Sequence, residues 1–165
     1  MKQAPSAHLF VLDIHHDRES AVRRLAPLGS VRPLTGDERL LLLSIPAAPG
    51  DPETRWERAQ ELLGDLGTVQ PVLLDELGET HFPTGEVSVR FHEAPPDDRL
   101  RELAAEHGLR LRNRNEFVPQ QAVFRPANPS ACYLPRLLQE LAEEKDTKAV
   151  WANTVTRFHR AAYGI

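Results

Sequence analysis

The sequence predicts an α+β fold: two tandem β-α-β-β-α-β units, antiparallel sheets with helices on one face. Three observations predict it. The same order of apolar strands and amphipathic helices is written twice along the 165 residues. The second helix of each unit opens on the same residue types, Asp51-Pro52 and Asn128-Pro129. A short polar cap before a first-turn proline is a favoured helix start. Leu25-Ala26 and Leu103-Ala104 also fall at equivalent points. Residues 1–80 form the diverged copy and 81–165 the second unit with a C-terminal tail.

In the first unit, His8–Ile14 is an apolar strand. Asp17 caps a short helix through Ala26, with Ala21, Val22 and Leu25 on one face. Pro27 and Gly29 stop it. Val31–Leu34 is a short strand, Thr35-Gly36-Asp37 a turn, and the leucine-rich Arg39–Ile45 a buried central strand. The helix from Asp51-Pro52 turns Trp56, Ala59, Leu63 and Leu66 inward. Thr68–Leu74 is the fourth strand, and Gly78–Gly85 reads as a linker.

In the second unit, Glu86–His92 alternates cleanly, as a half-buried strand does. Pro95-Pro96-Asp97 opens a helix with Leu100, Leu103, Ala104 and His107 at i, i+3, i+4 and i+7, and Gly108 closes it. Leu109–Arg114 and Gln121–Arg125 are strands around the Asn115–Gln120 loop. Asn128-Pro129-Ser130 opens the last helix, with Leu134, Leu137, Leu138 and Leu141 inward and Pro135 in its first turn. Lys148–Thr156 is the last strand. This order is the ferredoxin-like arrangement. A sheet with its helices on one side leaves its other face open to partners.

Composition narrows the function. Residues 1–85 carry eight basic and thirteen acidic side chains, net −5, and residues 86–165 carry twelve and eleven, net +1, making −4 for the chain. Neither half has the basic excess of a phosphate-backbone binder, so no nucleic-acid partner is expected. No apolar run approaches a membrane span of roughly 18 residues. Cys132 is the only cysteine, which rules out an intrachain disulfide. The N-terminus lacks a signal-peptide core, so the expected location is the cytoplasm, or outside the cell if the chain is cut from a secreted precursor.

The stretch Phe82–Arg160 carries the motifs T-G-E-V-S-V-R-F (Thr84 to Phe91), A-A-E-H-G-L (Ala104 to Leu109), N-E-F-V-P-Q (Asn115 to Gln120) and A-V-W-A-N (Ala149 to Asn153). In this order they resemble the inhibitory prodomain of a subtilisin-like serine protease, of the fervidolysin type, without the protease. The resemblance covers about half the chain, and the first half carries no family motif. It implies a stand-alone inhibitor or folding chaperone that binds such a protease and is not itself an enzyme. The open sheet face would dock on the protease, with Asn115, Glu116 and Phe117 in the docking loop. Polar groups there would cap protease helices at their positive ends. The C-terminal tail would lie in the active-site cleft as an added strand. Its residues are Phe158, Arg160, Ala161, Ala162, Tyr163 and Ile165, with Tyr163 or, in a second register, Ile165 at the primary pocket. The chain departs from the family in one place. Ala152-Asn153-Thr154 stands where an Ala-x-Pro-Asn-like turn is usual.

The remaining candidates are weaker. Alternation places Arg90 on the sheet face opposite Val87, Val89 and Phe91, and Arg110, Arg112 and Arg114 opposite Leu109 and Leu111, with Arg125 a further addition. Such a face suits an acidic protein surface, and RNA-binding sheets instead present aromatics. Asp13, His15, His16 and Asp17 cluster after the first strand, but no third ligand follows at metal-site spacing, and a helix cap accounts for them. Cys132 at a helix start is read as a small edge residue. No catalytic motif, metal set or cofactor is assigned. The alternative function is a scaffold or adaptor that binds a partner protein through its open sheet faces; a duplicated small-molecule sensor is a third.

Overall fold

The computed structural model describes residues 3–15, 17–34, 39–46 and 50–155. The elements are β1 (Ala4–Ile14), α1 (Arg18–Leu25), β2 (Ser30–Pro33), β3 (Leu40–Ser44), α2 (Pro52–Leu63) and β4 (Gly67–Leu74), then β5 (Thr80–Phe91), α3 (Asp97–His107), β6 (Leu109–Arg114), β7 (Gln121–Pro126), α4 (Leu134–Ala142) and β8 (Thr147–Val155). The chain divides into two compact units, residues 2–82 and 83–153, with Thr154 and Val155 grouped with the first.

In the first unit the strand order is β2-β3-β1-β4, all antiparallel. This is the order of a ferredoxin-like β-α-β-β-α-β unit. Leu41, Leu42 and Leu43 in β3 are buried with Val11 and Leu12 in β1, as the leucine run predicts. Asp17 caps α1 by accepting from Glu19 N at 3.1 Å, and Asp51 caps α2 by accepting from Thr54 N at 2.8 Å. Trp56, Ala59 and Leu63 are buried on α2, and Leu66 just beyond its end. Val22 is not inward but 39 % exposed. In a helix of eight residues, Ala21 and Leu25 at i and i+4 already fill the narrow buried stripe. Two α2 side chains reach the β4 backbone. Trp56 Nε1 donates to Val69 O at 2.6 Å, and Gln60 accepts from Val69 N at 2.8 Å and donates to Gly67 O at 3.2 Å. The predicted turn Thr35–Asp37 lies outside the described residues.

The segment Gly78–Gly85 is not a linker. β4 turns through Asp75–Gly78 into β5, with Leu73 opposite His81 and Leu74 opposite Thr80. Gly78 takes φ +80°, which the turn needs and an L side chain resists. His81, Phe82 and Pro83 are buried in succession, so the segment lacks the alternation that marks a strand in sequence.

In the second unit β5 lies between β7 and β8, and β6 pairs with β7, giving the order β8-β5-β7-β6. Again this is ferredoxin-like. Val87, Val89, Phe91, Leu100, Leu103, Phe124, Leu134, Leu137 and Leu141 form its core. Gly108 closes α3 in the left-handed conformation, as predicted. The last helix begins later than expected. Pro129–Ala131 makes one 3-10 turn, and Cys132 and Tyr133 are extended before α4 starts at Leu134. Pro135 then sits in the first turn, where its missing N–H costs nothing.

Candidate functional site

The resemblance points to the face of the second unit's sheet away from its helices. Facing residues across a ladder share a face, so the register assigns each side chain. Val87 opposite Phe124 and Val89 opposite Ala122 point to the helices; Ser88 opposite Val123 and Arg90 opposite Gln121 point away. Phe91 is buried in the core, so it presents no stacking surface.

Arg90 is exposed and anchored on this face. Its Nη2 donates to Gln121 Oε1 at 3.0 Å, and its guanidinium lies 5.7 Å from the centre of the Trp151 ring. Trp151 comes from β8, whose alternation puts Val150 against the core and Trp151 and Asn153 on the open face. Ser88 Oγ donates to Asn153 Oδ1 at 2.7 Å beneath these side chains, and Ser88 is buried.

A β-bulge divides the predicted arginine row. Arg110 lies opposite Arg125 and Leu111 opposite Phe124, but Asn113, not Arg112, lies opposite Val123. The extra residue is Arg112. It stays exposed, with its Nε 3.5 Å from Glu86 Oε1. Beyond the bulge the phase is reversed. Arg114 now shares a face with Ala122 and turns to the helix side, where Nη1 donates to Asp97 at 2.9 Å and Nη2 to Pro95 O. Leu111, expected inward, is 45 % exposed on this outer strand. Arg110 and Arg125 remain as a directly opposed, like-charged pair, both exposed. Neither has a carboxylate partner among the described residues.

The loop between β6 and β7 carries the other predicted residues. Asn115 Oδ1 accepts from Phe117 N at 2.9 Å and Val118 N at 3.1 Å, and Asn115 N donates to Gln121 O at 3.1 Å. These bonds fix the turn. Glu116 is exposed on it, and Phe117 is 94 % exposed. Isolated exposed apolar residues are ordinary; Phe117 is set apart by the hydrogen-bonded turn that presents it. The structure thus brings Arg90, Arg110 and Arg112 to the sheet and Asn115, Glu116 and Phe117 to one loop. The tail residues Phe158, Arg160, Ala161, Ala162, Tyr163 and Ile165 lie outside the described residues, and β8 runs without a turn through Ala152–Thr154 to Val155.

The other sequence candidates resolve simply. Asp13 accepts from Arg39 at 3.0 Å and Asp17 caps α1; His15 is exposed and His16 lies outside the described residues. Burial, helped by the nearby Glu140, pushes the Cys132 thiol up to about 11, the opposite of an activated nucleophile. One network escaped the sequence reading. Arg99 on α3 donates to Asp146 at 2.9 and 3.1 Å and to Glu144 at 3.1 Å, while His107 Nε2 lies 2.9 Å from Glu144. Arg99 holds the Asp146 carboxyl below its usual range, and His107, followed by Arg99, does the same for Glu144. The first unit also contains a pocket of about 120 Å³, with apolar walls from Phe10, Leu28, Ala59 and Leu62 and two arginines, Arg55 and Arg58. No helix among the described residues is long and apolar enough to cross a membrane.

No family model matches the chain, and no curated protein matches it. Among solved structures, the chain is similar to the acetolactate synthase small subunit from Thermotoga maritima, at 12 % identity and a TM-score of 0.29, over 96 % of this chain and 99 % of that one. The fold assignment rests on the strand order of each unit.

Proposed function

We propose that the chain is a non-enzymatic, prodomain-like binding partner of a subtilisin-like serine protease, acting as inhibitor or folding chaperone. The second unit docks through its open sheet face and the β6–β7 loop, and the C-terminal tail occupies the active-site cleft. The motif order in Phe82–Arg160 is the resemblance that supports this reading. The observation that carries the docking role is Phe117, presented on a turn that Asn115 fixes before any partner arrives. A preformed loop loses little conformational freedom on binding. The unneutralised Arg110–Arg125 pair favours an acidic partner surface, which would relieve the repulsion between two like charges directly opposed.

The test is titration of the chain into a subtilisin-like protease, with inhibition and co-elution with a catalytically dead form as readouts. Phe117→Ala should weaken binding by about 2 kcal/mol, roughly thirtyfold in Kd, as for a buried aromatic anchor. Arg112→Glu should weaken it and flatten its salt dependence, because a screened attraction is lost. Absence of both inhibition and co-elution rejects the proposal. Binding without inhibition, unchanged by tail truncation but lost in Arg112→Glu, favours the adaptor reading instead.

A further inference from the structure

The hairpin that joins β4 to β5 gathers three potential metal ligands, and the sequence reading assigned none of them. Asp75 stands at the end of β4, and Glu79 and His81 lie two residues apart across the turn. One donor atom from each lies within 4.8 Å of the other two. We infer that Asp75, Glu79 and His81 form a binding site for a divalent transition metal of the zinc type.

The argument begins with donor chemistry. One imidazole nitrogen and two carboxylate oxygens are a ligand set that zinc accepts, and a three-ligand site leaves a position for water. The imidazole favours a zinc-type ion over calcium or magnesium, which take oxygen alone. Orientation comes next. Asp75 Oδ1 accepts from Leu77 N at 2.8 Å and Glu79 N at 3.0 Å, which leaves Oδ2 aimed at His81 Nε2, 2.8 Å away. The turn amides therefore act as the outer shell that fixes a ligating carboxylate. Bonds of about 2.0–2.1 Å at a tetrahedral angle put two donors about 3.3 Å apart. Asp75 and His81 need to part by only about half an ångström, and the proton between them leaves to solvent as the ion binds. Glu79 is exposed and Asp75 and His81 are largely buried, so an ion would enter from the Glu79 side.

Charge balance is the independent observation. Asp75 and Glu79 have His81 as their one potential cation; no arginine or lysine reaches either among the described residues. The other mixed cluster among the described residues, Glu106, His107 and Glu144, behaves oppositely, because Arg99 already sits 3.1 Å from Glu144. A protein cation occupies the place of a metal there, and among the described residues no arginine or lysine does so at the hairpin.

The experiment is calorimetric titration of the metal-free full-length chain with Zn²⁺, repeated with Co²⁺ to read coordination from its visible absorption. One ion per chain is expected. Glu79→Gln should lower the affinity about tenfold or more; since Glu79 is exposed, circular dichroism should show the fold intact, so this variant decides the matter even if His81→Ala disturbs the hairpin. His15→Ala, the control for surface histidines, should bind as the parent does. The inference is overturned if the parent shows no saturable binding, if Glu79→Gln and His81→Ala both retain parental affinity, or if His15→Ala alone abolishes it. Protease binding is not involved in any arm, so this result and that of the docking test stand apart.

Discussion

Arg99 makes three of the second unit's ion pairs, with Glu102, Glu144 and Asp146. It joins α3 to the segment before β8 through Asp146 and Glu144. Replacing it with alanine strands two partly exposed carboxylates, and solvent screening limits the cost to about 1–2 kcal/mol. Its pH signature has a definite sign. Asp146 and Glu144 titrate lower in the folded chain than their ordinary values of 3.8 and 4.5. Their stabilisation is complete above those values and is lost as pH falls through the folded ones. Thermal melts should therefore show the parent losing stability below about pH 4.5 and Arg99→Ala losing less over the same range. An equal acid slope in both proteins would remove Arg99 from this role. None of this was legible in sequence, because Arg99 is 45 and 47 residues from its acceptors and no local pattern marks such pairs. The caps at Asp17 and Asp51 were legible, because a cap acts over two or three residues.

At the scale of elements, regularity decided what could be read. Helices and strands with a clean period were found within a few residues, as in Asp97–His107 and Leu109–Arg114. The bulge at Arg112 was invisible, since an extra residue in β6 changes no residue type and only reassigns faces; hence Arg114 moved to the helix side. The β4–β5 hairpin was misread because two glycines and a proline suggest a break, although a strand passes through Pro83 and Gly85. That hairpin also hid Asp75 and His81 from each other. Gly108 gives a test at this scale. Its φ is +64°, and a Cβ there would meet nothing within 4 Å. Gly108→Ala should thus cost about 1 kcal/mol, from backbone strain alone. A chemical denaturation series would check it, and a loss several times larger would indicate an unseen packing role.

At the scale of the molecule, each unit has its own core, so damage should be confined at first. Leu103 is fully buried in the second unit. Leu103→Ala should cost about 2–5 kcal/mol. Hydrogen exchange should rise earliest in β5, β7 and α4, while β1 and β3 keep their protection. Uniform loss of protection would show that the units unfold as one. The fold was the most legible level of all, because tandem alternation survives the loss of individual details. One feature of the first unit has a bearing on its life in a crowded solution. The α2 side chains Trp56 and Gln60 take up the amide of Val69 and the carbonyls of Val69 and Gly67. Those groups would otherwise offer a template for a foreign strand. Helix α2 thereby shields these groups, and Gln60→Ala should raise self-association, read by light scattering against protein concentration.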